Sequence, residues 1–207
     1  FSELLTTCYD SNGEPNVSVY GKHSANEILN PIQNFTYDFF KQFFAEVKSV
    51  FADEFIHLGM DEVYYECWES NPEIKKFMHD LNMTTTAQLE QYYVKRTVEN
   101  VRNIGYKYMT WQDPVDNGVE MSSDSVVQLW KDTELGPIYK SWGEYIKPIA
   151  KKKYKMDWKK YYNCDPHNFT GTREEKDLII GGEACLWSEY VDGTNLLARL
   201  WYGFFET

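Results

Sequence analysis

Two adjacent carboxylates, Asp61 and Glu62, close the apolar run Phe55-Ile56-His57-Leu58-Gly59-Met60. Most acidic residues of this chain read as solvated surface, but a strand-like hydrophobic segment delivers this pair to the edge of a core. Paired carboxylates suit general acid–base work on a glycosidic oxygen. A general acid must begin protonated and release its proton in the transition state. A Glu that is partly buried beside a second carboxylate is held above the usual carboxylate range, which leaves the Asp charged for a different task. Neighbouring residues on a strand point to opposite faces. Both side chains can therefore line one pocket only if the chain turns, and Gly59 permits such a turn. The competing reading is that Asp61-Glu62 caps the following helix, where acids suit the helix dipole.

The elements that must position the pair follow from periodicity. Asn30-Pro31 reads as an N-cap and a first helical residue. Phe35, Phe39, Phe43 and Val47, widened by Phe40, Phe44 and Phe51, then mark the apolar face of a helix ending near Val50. Residues 55–58 form a short buried strand. Asn71-Pro72 opens a second helix with Ile74, Phe77, Met78 and Leu81 on one side. A third runs from about Thr86 to Ile104, with Gly105 suited to the C′ position. Strand-like runs follow at 106–111, 125–130 and 178–183. They end in Trp111-Gln112-Asp113, Trp130-Lys131-Asp132 and the stretch from Glu183 to Glu189. Strands alternating with helices argue for α/β architecture with a parallel sheet. Functional-looking residues at the carboxyl ends of several strands fit a (β/α)8 TIM barrel, though an open doubly wound sheet places ligands there too. Ile138, Trp142, Tyr145, Ile146 and Ile149 make a helical face broken by Pro148. Asp116-Asn117-Gly118 and Asp192-Gly193 are turn signals.

Composition narrows the function. The formal net charge of −11 argues against a nucleic-acid partner, and the basic stretch Lys151-Lys152-Lys153-Tyr154-Lys155 reads as a solvated helix end. Aromatics make up 17% of the chain, mostly as core filler, with the remainder free to stack sugars. No run is long and apolar enough to span a membrane. Cys8, Cys67, Cys164 and Cys185 contain no C-x-x-C pair, and the four His have no metal-ligand spacing, so no metal or cofactor is expected. Four N-glycosylation sequons, beginning at Asn16, Asn34, Asn82 and Asn168, point to the secretory route, where disulfides are permitted. The first residue is Phe1 and no signal peptide is visible, which reads as a fragment or a trimmed chain.

The segment from Phe55 to Val63, followed by Cys67-Trp68-Glu69-Ser70-Asn71-Pro72, closely resembles the catalytic segment of the β-N-acetylhexosaminidases, family 20 glycoside hydrolases of the animal lysosomal type. Trp111-Gln112, Trp130-Lys131-Asp132, Asp157-Trp158-Lys159-Lys160-Tyr161-Tyr162 and the run from Gly181 to Asp192 fit the same family in the same order. The resemblance implies that residues 1–207 are the C-terminal portion of a catalytic (β/α)8 barrel that lacks its first strands. It implies hydrolysis of terminal non-reducing GlcNAc or GalNAc from glycoconjugates by a retaining, substrate-assisted mechanism. In that mechanism the substrate's acetamido oxygen is the nucleophile. Glu62 would be the general acid and then the base. Asp61 would orient the acetamido N–H. Trp111, Trp130 and Trp187 would wall the sugar pocket, and Glu189 would hydrogen-bond sugar hydroxyls. His57 would be a buried residue behind the site.

The same resemblance implies a Cys8–Cys67 disulfide, a free buried Cys185, a lysosomal or secreted glycoprotein, and a dimer of the full-length protein. Four departures stand out. Met60 occupies a position where the family carries a second Gly. The family's Trp-Tyr strand has no counterpart between Trp130 and Trp158. The chain opens after the first three barrel strands and ends before the last helix. The alternative reading is a catalytically inactive hexosaminidase-like fragment that binds N-acetylated sugars or a protein partner.

Overall fold

The computed structural model describes residues 2–16, 28–130, 165–167, 170–182 and 191–197. The chain divides into two compact units, Phe1–Gln128 and Leu129–Thr207. In the first unit a short 3-10 helix, Ser2–Leu4, leads to helix α1 (Asn34–Val50), strand β1 (Phe55–His57), helices α2 (Tyr65–Ser70), α3 (Pro72–Asp80) and α4 (Thr86–Asn103), strand β2 (Lys107–Trp111), helix α5 (Asp113–Asp116) and strand β3 (Val126–Gln128). The three strands form one parallel sheet in the order β1-β2-β3, with Ile56 beside Tyr108 and Thr110 beside Val127. The architecture is α/β with a parallel sheet.

Local chemistry explains most of the boundaries. Asn71 caps α3: its Oδ1 accepts the N–H groups of Glu73 (2.9 Å) and Ile74 (3.1 Å), and Pro72 supplies the first helical residue. Thr85 and Gln88 form a reciprocal capping box at the start of α4, and Gly105, at φ +91°, follows its C-cap.

At Asn30-Pro31 the structure corrects the expected helix start. Asn30 Oδ1 accepts the N–H of Ile32 (3.1 Å), closing a turn of its own, and α1 begins only at Asn34. The buried face of α1 also differs from the expected stripe. Thr36 and Tyr37 are buried, with Thr36 Oγ1–H donated to Asn30 O (2.8 Å) and the Tyr37 hydroxyl to Pro31 O (2.6 Å). Phe35 and Phe43 are exposed, and Phe39 stacks on Phe43 at 5.9 Å. A run this rich in Phe offers more than one apolar face, and periodicity alone does not say which one meets α4.

Two apolar clusters form the core of this unit. Val101 of α4 meets Tyr106 and Tyr108 beneath the sheet, joined by Ile56 and Leu58. Trp68, Ile74 and Leu89 tie α2, α3 and α4 together, joined by Val63. The Cys8–Cys67 disulfide is formed and closes a loop of 59 residues.

In the second unit, a four-residue helix, Arg173–Lys176, carries its own capping box from Thr172 and Glu175. Residues 178–182 form no strand, so the strand expected at 178–183 is not present in its described part. Lys176, Asp177 and Leu178 instead continue the turn hydrogen bonds of that helix. The expected helical face around Trp142, the basic stretch 151–155, the motif 157–162, Cys164, Cys185 and the Asn168 sequon lie outside the described residues.

Candidate active site

The chain leaves β1 from one apolar cluster and must reach the other. Leu58 packs under the sheet and Val63 packs against Trp68, Ile74 and Leu89. The residues between them bridge the two clusters, and they do so by turning sharply. Gly59 (φ +69°), Met60 (φ +72°) and Glu62 (φ +51°) all adopt the left-handed region. This is the turn that adjacent carboxylates require if both are to serve one pocket. Glycine enters that region without penalty, whereas a non-glycine residue there costs on the order of 1–3 kcal/mol. A glycine at position 60 would hold this left-handed backbone without penalty, and in this chain Met60 carries the strain.

Hydrogen bonds hold the turn at both ends. The Trp111 N–H donates to Gly59 O (2.9 Å), extending the β1–β2 pairing beyond the end of β1. The Gly59 N–H donates to His57 Nδ1 (3.0 Å), and the His57 ring lies 5.0 Å from the Trp111 indole at a tilt of 59°. The Glu62 N–H donates to Asp113 Oδ1 (3.1 Å), at the start of α5. His57 is exposed, not buried as expected, because it points from the sheet face opposite Ile56 and Tyr108. Its role is to close the turn and flank Trp111.

Asp61 and Glu62 are both exposed. This corrects the partial burial expected of Glu62: the strained turn carries the pair between the two clusters and into neither. The helix-cap alternative does not hold either. Helix α2 starts at Tyr65, its N-cap is Tyr64, and both acids lie before the cap. Trp111, half-buried, ends β2 beside the turn. Trp130 is half-buried in the second unit. Trp187 and Glu189 lie outside the described residues.

Behind the turn is a buried polar network that the sequence did not announce. Glu90, fully buried on α4, accepts hydrogen bonds from the Tyr65 hydroxyl and from Asn117 Nδ2 (3.0 Å). Burial, then the Glu90 hydrogen bond and charge, push the Tyr65 phenol well above its ordinary range. Gln112 Nε2, just before α5, donates to Asp116 at its end (3.0 Å). Asp113, only 5% exposed, belongs to this buried layer and, alone among the described residues outside the turn, bonds through its side chain to a catalytic candidate's backbone. Its one sequence signal was its place after Trp111-Gln112 at the carboxyl end of a strand. No group of three or more His, Cys, Asp or Glu able to hold a metal ion occurs among the described residues.

The chain is similar to known proteins of one family. The profile of the glycosyl hydrolase family 20 catalytic domain matches residues 2–204. The beta subunit of β-hexosaminidase from Homo sapiens is 39% identical over 211 residues, covering 96% of this chain and 36% of that protein. The alpha subunit from Rattus norvegicus is 40% identical over 210 residues, covering 96% of this chain and 38% of that protein. The chain therefore spans little more than a third of the length of these relatives. Among solved structures, the chitobiase of Flavobacterium johnsoniae superposes with a TM-score of 0.67 at 23% identity, covering 87% of this chain and 29% of that one, a likeness of fold.

Proposed function

We propose that this chain, which belongs to glycosyl hydrolase family 20, is the C-terminal portion of the catalytic (β/α)8 barrel of a β-N-acetylhexosaminidase, spanning residues 1–207. The reaction is removal of terminal non-reducing N-acetylhexosamine from glycoconjugates. The acetamido oxygen of the substrate attacks the anomeric carbon while Glu62 donates its proton to the departing glycosidic oxygen. Glu62, now a carboxylate, takes a proton from water, and that water opens the oxazolinium-like intermediate with overall retention. Asp61 orients the acetamido N–H and balances its developing positive charge. Trp111, Trp130 and Trp187 wall the sugar pocket and exclude competing water, and Glu189 binds sugar hydroxyls.

The observation that carries this reading is the left-handed turn that follows β1. It presents both carboxylates to solvent beside Trp111 and is tied to β2 and α5 by the Trp111 and Asp113 hydrogen bonds. The turn forms with Met60 in place. The test is release of chromophore from an aryl N-acetyl-glucosaminide by the full-length protein. Glu62→Gln is expected to lower turnover by about 10²–10⁴-fold, and an unchanged rate would refute the acid assignment. Binding of N-acetylglucosamine without release would support the catalytically silent alternative.

The setting is the secretory route, ending in the lysosome or outside the cell, with a dimer in the full-length protein. The Cys8–Cys67 disulfide suits an oxidising compartment. Asn82 (φ +55°) and Thr84 are both exposed in the turn after α3, so that sequon is accessible to glycosylation. Deglycosylation of protein made in secretory cells should lower its mass, with one glycan missing in Asn82→Gln.

A further inference from the structure

Only one side chain outside the turn bonds to the backbone of the two acids in the described structure, and it is charged and buried. Asp113 stands two residues past the end of β2 and opens α5. The residue is 5% exposed, and its Oδ1 receives the Glu62 N–H at 3.1 Å from a residue 51 positions earlier in the chain. Glu62 is not a residue that rests naturally at φ +51°. A shift to the ordinary negative-φ region would rotate its N–H away and redirect its Cα–Cβ bond. The carboxyl group at the end of that side chain would move with it. A buried carboxylate accepting a backbone N–H is a charge-assisted bond, roughly twice as strong as a neutral one. It competes directly with the tendency of Glu62 to relax.

We propose that Asp113 is a positioning residue that holds the Glu62 backbone in its left-handed conformation through the Oδ1···H–N bond and so aims the Glu62 carboxyl group. The proposal rests on Glu62 being the general acid. It adds that the acid's placement depends on a carboxylate that touches no substrate atom. Reacting groups must sit within hydrogen-bond reach of the proton they transfer, and a misplacement of about 1 Å can cost 10²-fold in rate.

The experiment uses the full-length protein and two variants. Asp113→Ala removes the acceptor. Asp113→Asn keeps an acceptor oxygen of the same reach and loses the charge. Melting temperatures establish that each variant is folded at the assay temperature. Asp113→Ala is expected to lower kcat by about 10–100-fold with KM changed less than about threefold, because substrate binding is intact and only the acid is misplaced. Asp113→Asn is expected to recover most of that loss. The second readout is hydrogen exchange at the Glu62 amide, which should be slow in wild type, fast in Asp113→Ala and slow again in Asp113→Asn. Equal impairment by Ala and Asn, or Glu62 exchange unchanged in Asp113→Ala, would overturn the proposal. So would a rise in KM matching the fall in kcat/KM. If wild type itself releases no aryl product, the acid assignment has failed, and amide exchange alone then decides whether Asp113 holds the turn.

Discussion

Two stretches that follow β1 have opposite characters. Residues 59–62 turn on left-handed backbone: three of the four have positive φ, the non-glycine Met60 and Glu62 under strain, and both acids are exposed. Residues 67–74 are anchored instead, with Cys67, Trp68, Asn71 and Ile74 buried. Cys67 is joined to Cys8, and Trp68 Nε1–H donates to Leu29 O (3.1 Å). Ser70 Oγ accepts the Tyr9 N–H (2.8 Å), and Asn71 both caps α3 and donates to Thr7 O (3.0 Å). The difference teaches where strain can be stored. A left-handed turn persists because the chain on either side of it is over-determined: Leu58 is fixed under the sheet, and Val63 is fixed against a cluster that a disulfide and a capped helix lock in place.

Loss of the disulfide should break this contrast most severely. Cys8→Ser opens a loop of 59 residues, and loop-closure entropy makes that worth about 4 kcal/mol. A urea midpoint unchanged by the substitution would show that the bonded stretch does not depend on the cross-link. The next effect is alkaline. Burial pushes the Tyr93 phenol up to about 12, and burial likewise raises Tyr37 and Tyr65. The folded state keeps these protons while the unfolded chain loses them above pH of about 10. The stability they protect is therefore complete below about pH 10 and falls as pH rises toward 12. The fall is on the order of 2 kcal/mol for Tyr93. Thermal melts between neutral pH and pH 12 measure it, and a flat profile contradicts it.

Smaller effects sharpen the comparison from each side. Asn71→Ala removes the α3 cap and the bond to Thr7 and should cost about 1–2 kcal/mol. The same substitution at the exposed Asn12 provides the control. Met60→Gly should act in the other direction. It relieves left-handed strain and is expected to stabilise the protein by about 1 kcal/mol. A destabilised Met60→Gly would mean that packing by the half-buried Met side chain outweighs the backbone strain.

Legibility followed the range of the interaction. The start of α3 was readable at Asn71-Pro72, and the extent of α4 from Thr86 to about Ile104, because caps act over three or four residues. The disulfide was implied by family resemblance, and the structure forms it. Asn30-Pro31 misled because the Asn30 side chain closes a local turn, which competes with helix capping and uses the same residue types. The Phe stripe of α1 identified a helix but not its buried side, where Thr36 and Tyr37 bond back to the carbonyls of Asn30 and Pro31 in the turn before the helix. The exposure of Glu62 and His57 and the contact of Asp113 with the Glu62 amide were not legible. Each depends on partners distant in sequence.

By itself the sequence determined helices α3 and α4, the presence of α1, the parallel α/β plan, the family and the place of the two adjacent acids after β1. All of these are set by local propensity, by periodicity or by residue types in order. The tertiary structure alone decided that residues 59–62 cross between two apolar clusters on left-handed backbone, and that Asp113 meets the Glu62 N–H there. The reason is physical. The φ angle of a non-glycine residue at such a place is imposed by where its two flanking segments are anchored, and those anchors lie on helices and strands far along the chain.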